Sequence, residues 1–176
     1  RGLLPEERIA GLIDLIIARG GFVKNLHGQK NVYYQVNATY YSALGEDDRK
    51  MLVARAVQLF MPGKPQVWYL DLFAGKNDHE AVAKAGEGGH KEINRTNLTV
   101  EQIHSALTQD VVKKQIDLLR FRKSSRAFTS NAKISVISNK NNMHFIWQGN
   151  TTAELSVDFT TMSYEVKENG YIMMKG

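Results

Sequence analysis

Between Ile9 and Ile17 the apolar residues Ile9, Leu12, Ile13, Ile16 and Ile17 recur at the i, i+3, i+4, i+7, i+8 spacing of one helical face. Pro5 suits the first position of such a helix, and Glu6 and Glu7 place negative charge at the positive end of its dipole. Gly20-Gly21 stops it. From Phe22 to about Gly45 neither helical nor strand periodicity persists, and the stretch predicts a long, structured loop. It carries Lys24, His27 and Lys30 and then YYQVNATYYSALG, residues 33–45. The 3.6-residue period returns after Glu46, Asp47 and Asp48, where Leu52, Val53, Ala56, Val57 and Phe60 line one face until Met61-Pro62-Gly63 ends the element.

A short apolar run, Gln66-Val67-Trp68-Tyr69-Leu70, lies between Gly63 and Gly75 and predicts a strand buried on both faces. A second long loop, including GEGGHKEINR at 86–95, leads to Thr99-x-x-Gln102, a capping box for a short helix. The next helix starts at Asp110, with Val112, Ile116 and Leu119 on its apolar side, so helix, strand and helix follow in the order of a β/α unit. After Ser124-Ser125 the period changes to two. In TTAELSVDF, residues 151–159, Ala153, Leu155, Val157 and Phe159 alternate with polar residues, as in a sheet with one wet face. KISVIS, MHFIW and YIMMK are further strand candidates, separated by turns at Asn139 to Asn142 and Glu168-Asn169-Gly170. Residues 125–176 therefore read as a C-terminal antiparallel β-domain.

Composition narrows the classes. With 176 residues, 43% hydrophobic and 23% charged, the chain can bury a core and is not expected to be disordered. It has no cysteine, which removes disulfides and thiolate zinc sites and fits a reducing compartment. No apolar run reaches the roughly 18–20 residues of a membrane-spanning helix, and the start lacks the order of a signal peptide, so a cytoplasmic protein without a membrane partner is expected. The +5 charge comes from dispersed residues with no nucleic-acid module beside them, so no nucleic-acid partner is expected. His27, His79, His90, His104 and His144 lack paired ligand spacing, and no metal or cofactor is called for. Gly86, Gly88 and Gly89 follow no strand and make a poor phosphate loop. Lys76-Asn77-Asp78 reads as loop architecture, and Tyr40, Tyr41 and Trp68 as core aromatics.

YQVNATYYSALG, PGKPQVWY, AGKND and EINR, in this order and spacing, closely resemble the C-terminal part of sucrose phosphorylases, members of the α-amylase superfamily. The resemblance extends from Gly2-Leu3-Leu4-Pro5-Glu6 through LLRFRKSSRAF at 118–128 and weakens in the β-domain. It implies an α/β fold: the C-terminal part of a TIM-type β/α barrel, with its eighth strand at 66–70 and last helix at 110–123, followed by an antiparallel β-domain. Residues 1–45 would be a loop insertion with one amphipathic helix, 46–124 the C-terminal portion of the barrel, and 125–176 the β-domain. On this reading the chain is a fragment whose first partner is the remainder of the barrel.

The implied reaction is a retaining phosphorolysis in which glucose passes from sucrose or a related α-glucoside to inorganic phosphate, giving glucose 1-phosphate. Its nucleophile and acid/base carboxyls, roughly 5 Å apart in retaining enzymes, precede the region represented here. No catalytic residue is therefore assigned, and the fragment alone is expected to be inactive. The resemblance does assign substrate contacts. Arg95 matches the family arginine that contacts the glucosyl unit, with a planar fork suited to two hydroxyls, although Glu92 replaces the usual Asp of this motif. Gln35 matches the acceptor-side glutamine, and Tyr34 precedes it. Where the family commonly has Leu-Asp-Leu before that pair, this chain has Asn31-Val32-Tyr33, with Lys24, His27 and Lys30 upstream. Cations favour an anionic acceptor by charge attraction, which makes sucrose 6-phosphate or glucosylglycerate the rival substrate. An alternative of another class is a non-catalytic sugar-binding or assembly fragment.

Overall fold

The structure, a computed structural model, describes residues 3–25 and 33–176, without the side chains of Asn25, Tyr33 and Tyr34. Helix α1, Glu6–Ala18, is followed by strands β1, Phe22–Asn25, and β2, Tyr33–Asn37. Short α2, Tyr40–Ala43, precedes α3, Asp48–Phe60; α4, Tyr69–Leu72, and α5, His79–Ala85, precede a 3₁₀ helix at Gly89–Asn94. Then come α6, Val100–Ala106, and α7, Asp110–Ser124. Five strands complete the chain: β3, Lys133–Ser138; β4, Asn142–Gln148; β5, Thr152–Asp158; β6, Ser163–Glu168; and β7, Tyr171–Lys175. The chain packs as two units, one of residues 1–47 and 68–106, the other of 48–67 and 107–176.

In the first unit α1 ends as the glycines require. Gly20 adopts φ +82°, and the Gly20 and Gly21 amides turn back to the carbonyls of Ile17 and Ile16, closing a Schellman motif. Residues 22–25 and 33–45 depart from the expected irregular loop. β1 and β2 form an antiparallel hairpin in the register Phe22↔Asn37, Val23↔Val36 and Lys24↔Gln35, and Thr39 caps α2 through its hydroxyl, which accepts the Ser42 amide at 3.1 Å. The strand expected at 66–70 is not formed. Trp68 has extended dihedrals, but Tyr69–Leu72 is helical and no described strand lies alongside to complete a ladder. The loop expected after it instead contains α5, capped by Asp78, and the 3₁₀ helix. The Thr99–Gln102 capping box is closed in both directions, at 2.8 and 3.2 Å.

The second unit is a five-stranded antiparallel meander, β3-β4-β5-β6-β7, packed on α3 and α7. The alternation of β5 places Ala153, Leu155 and Val157 inside as expected, while Phe159 lies beyond the strand and half-buried. β6 was not among the strand candidates, although Tyr164 and Val166 alternate inward. Leu52, Val53, Ala56 and Phe60 of α3 are buried as the pattern predicts. The face of α7 is rotated from the expected one: Val112, Gln115, Leu118 and Phe121 are buried, with Ile116 and Leu119 at its margin. Gln115 occupies this face because its Oε1 accepts from the equally buried Arg55 Nε at 2.9 Å. Trp147 anchors the sheet, its indole N–H donating to the Phe60 carbonyl at 2.8 Å and its ring meeting Phe128 edge-on.

Candidate functional site

The hairpin and the loops that face it in the first unit hold the sequence-assigned residues. Lys24 of β1 and Gln35 of β2 are directly opposed, and opposed residues of an antiparallel pair project on one face. Lys24 is exposed and Gln35 half-buried. Tyr34 lies in β2, its side chain outside the described residues. His27 and Lys30 also lie outside them.

Arg95 directly follows the 3₁₀ helix, and its segment is fixed by its neighbours rather than by its own side chain. The Ile93 carbonyl accepts the Asp78 amide at 2.9 Å. The Asn94 carbonyl accepts the Trp68 indole N–H at 3.0 Å, and the Thr96 carbonyl accepts the Tyr69 hydroxyl at 2.5 Å. Thus the residues on either side of Arg95 are held by adjacent aromatics whose ring centroids are 4.9 Å apart. The Arg95 side chain is half-exposed and meets Glu92 at 3.5 Å, a loose contact that leaves most of its donor fork toward solvent. Asn94 links this segment to the hairpin, its Nδ2 donating to the Ala38 carbonyl at 3.2 Å. Arg95 and Gln35 are therefore on elements joined by one side-chain bond.

Trp68 departs from its expected core role: it is 50% exposed and acts through its N–H. Tyr40 is likewise partly exposed, its amide donating to Asp71 Oδ1 at 2.7 Å.

The support beneath the site comes from Lys76-Asn77-Asp78. Asn77 Oδ1 accepts the amide of buried Thr39 at 2.7 Å, its own amide donates to Ser42 Oγ at 3.0 Å, and its Nδ2 reaches the Arg19 carbonyl at 3.4 Å. Ser42 in turn donates to Glu46 at 3.0 Å, and Lys76 pairs with Glu46 at 2.6 Å. The Lys76 ammonium, aided by the Ser42 hydroxyl, holds the Glu46 carboxyl below its ordinary value. Asp78 accepts the Ala81 amide at 2.8 Å and the Thr96 hydroxyl at 2.7 Å, and these bonds lower its carboxyl too, the amide contributing most. Arginine and an amide on adjoining elements can hold neutral hydroxyls from two directions, while Lys24 adds a positive charge on the Gln35 side. Among the described residues no group of three His, Asp or Glu side chains is placed to hold a metal ion, and no helix is long and apolar enough to cross a membrane.

Asn77, Asn94 and Trp68 were not singled out as site-forming residues from the sequence. The one available signal was their position inside the AGKND, EINR and PGKPQVWY motifs.

No family model matches the chain. It is 47% identical over 170 residues to the sucrose 6(F)-phosphate phosphorylase of Ilumatobacter coccineus, covering 94% of this chain and 32% of that protein. It is 35% identical over 177 residues to the sucrose phosphorylase of Bifidobacterium adolescentis, covering 95% of this chain and 32% of that protein. Against the crystal structure of sucrose 6F-phosphate phosphorylase from Thermoanaerobacter thermosaccharolyticum it has a TM-score of 0.88 at 33% identity, over 99% of this chain and 37% of that one. The chain thus spans 32% of the length of these curated relatives.

Proposed function

Because the chain belongs to the sucrose phosphorylase-type glucoside phosphorylases, matching them over nearly all of its own length and about a third of theirs, we propose that it is part of a retaining enzyme that transfers glucose from an α-glucoside to phosphate. In that reaction the bond from the anomeric carbon to the leaving oxygen breaks, a carboxylate forms a glycosyl-enzyme ester, and a phosphate oxygen displaces it to give glucose 1-phosphate. This chain supplies recognition: Arg95 to the glucosyl hydroxyls, Gln35 and Tyr34 to the leaving sugar. Residues 46–124 contribute to the catalytic barrel, 1–45 form a loop insertion with one amphipathic helix, and 125–176 form the β-domain. The observation that carries the reading is the match to these phosphorylases over nearly all of this chain; the Asn94–Ala38 bond, which joins the Arg95 segment to the residue after the strand bearing Gln35, supports the pairing of the two contacts.

A second reading concerns the acceptor. Lys24 stands opposite Gln35 with an exposed ammonium, a placement that favours a phosphorylated or carboxylated leaving group, and the relative with 47% identity is named for sucrose 6(F)-phosphate. His27 and Lys30 are proposed to add to the same positive field.

Glucose 1-phosphate release with sucrose, sucrose 6-phosphate and glucosylglycerate, measured on the longer enzyme and on this chain alone, tests both readings. The longer enzyme should turn over at least one donor and this chain none; phosphate-dependent turnover by the chain alone would overturn the assignment. Lys24→Ala should weaken the anionic donors, and the loss should shrink as salt rises, because exposed charges are screened within about 10 Å at 0.1 M. Equal losses on sucrose would remove Lys24 from the acceptor site.

A further inference from the structure

Resting on that assignment of Arg95 and Gln35, we infer that Asn94 is a positioning residue that couples the glucosyl side of the site to the acceptor side. Its two polar ends face different elements. The carbonyl is held by the Trp68 indole at 3.0 Å, which fixes the chain immediately before Arg95. The side-chain amide reaches across to Ala38 at 3.2 Å, three residues beyond Gln35 and directly beyond the last β2 residue. Asn37, at that strand end, is 3% exposed, and Thr39 is 1% exposed and held by Asn77. The end of β2 is therefore packed in place, and its displacement is resisted from both sides. A movement of the 3₁₀ helix must stretch the Asn94–Ala38 bond or carry the end of β2 with it.

The side chain of Arg95 offers no comparable tether. Its Glu92 contact is 3.5 Å long and half-exposed on both partners, so that pair supplies little orientation. Position is imposed through the backbone on either side, and Asn94 is the member of that backbone set with a side chain reaching the hairpin. The consequence is a link between two specificities: how the glucosyl unit is held depends on which leaving group the hairpin accommodates.

The test uses the active longer enzyme and two donors: sucrose, whose leaving sugar occupies the acceptor side, and α-glucosyl fluoride, whose one-atom leaving group does not. The ratio of kcat/KM for the two donors is measured in the parent, Gln35→Ala, Asn94→Asp and the double variant. Asn94→Asp keeps the shape but replaces the donor by an acceptor facing a carbonyl. Losing one net hydrogen bond should change the ratio about fivefold. In the double variant the ratio should differ from the product of the single changes by at least about twofold, the signature of residues in one network. Independent multiplication would overturn the coupling, as would a lowered Tm with an unchanged ratio. If Gln35→Ala itself leaves the ratio untouched, the acceptor assignment fails and the coupling falls with it, an outcome separable from the former two. Asn94→Ala gives the same readout should the Asp variant fail to fold.

Discussion

Replacing Asn77 by Ala removes the acceptor that the Thr39 amide holds at 2.7 Å. Thr39 is 1% exposed, and an orphaned buried N–H costs about 1–3 kcal/mol. The Nδ2 contact with the Arg19 carbonyl is long, 3.4 Å, and contributes little. The bond from the Asn77 amide to Ser42 survives, because it belongs to the backbone. The expected destabilisation is therefore about 2 kcal/mol, or about thirtyfold in the local opening equilibrium. Asn77→Asp retains an acceptor at the same position and sets an acceptor against the Arg19 carbonyl only across the long 3.4 Å contact, so it should cost less than the Ala variant. Amide hydrogen exchange checks both, with the Thr39 amide and the α2 amides as reporters and the β4–β5 ladder of the other unit as internal control. An unchanged Thr39 exchange rate in Asn77→Ala, or an Asp variant as damaged as the Ala variant, would refute the reasoning.

Arg95→Lys in the longer enzyme keeps the charge and loses the fork, so kcat/KM should fall at least about tenfold for every donor, neutral or anionic; steady-state kinetics across donors checks it. Trp147→Phe removes the buried indole N–H that the Phe60 carbonyl accepts at 2.8 Å and leaves a small void, which should cost about 2–3 kcal/mol, read as a lower midpoint of the thermal unfolding transition. Asp78 gives a pH signature. Its folded carboxyl lies below the ordinary value of 3.8, so its contribution to stability is present above that value and is lost as pH falls through the folded one. Asp78→Asn should flatten the acid limb of the stability curve below about pH 4.

β5 was legible because it has one wet face, which imposes an alternation of period two that local sequence displays, whereas the edge strands β3 and β7 are exposed over most of their length and were legible only as short apolar runs. Lys133–Ser138 and Tyr171–Lys175 coincide with the expected runs. β6 escaped because Ser163, Glu165 and Lys167 give it the polar texture of a turn region, and only Tyr164 and Val166 mark its inner face. The β1–β2 hairpin escaped for a related reason: with four and five residues, interrupted by Lys24, Asn25 and Asn37, it has no periodic signal long enough to stand out. The run at 66–70 failed in the opposite sense. Its residues have strand propensity, but a strand is a paired object, and no described neighbour offers it a ladder. The rotated face of α7 shows the limit of reading polarity as exposure, since Gln115 is buried by virtue of Arg55, sixty residues away in sequence. Of the candidate site, the motifs nominated Gln35 and Arg95, whereas the side chains that tie their segments together depend on contacts such as Asn94 to Ala38 at a separation of 56 residues, which no local pattern encodes.

The carboxylates bear on how the chemistry is divided. A general acid in glycoside cleavage needs a carboxyl whose proton is retained near neutral pH, which burial or a neighbouring negative charge provides. Each shifted carboxyl among the described residues moves the other way: Glu46 toward Lys76, Asp78 toward the Ala81 amide, Glu101 toward its own amide and the Thr99 hydroxyl, Asp158 toward the Thr160 amide, and Glu165 toward Lys167. These groups are engaged as caps and ion pairs, and protonating them breaks those bonds. Asp71 is likewise engaged by the Tyr40 amide, and Glu92 by Arg95. Glu46, Asp71, Asp78 and Glu92 thus brace loops of the first unit, and beside them the Arg95 fork and the Lys24 ammonium are donors open to solvent. A surface of donors set on a carboxylate-braced frame is suited to holding hydroxyls and anions, and on the proposed function it leaves nucleophile and acid to be supplied from elsewhere in the barrel.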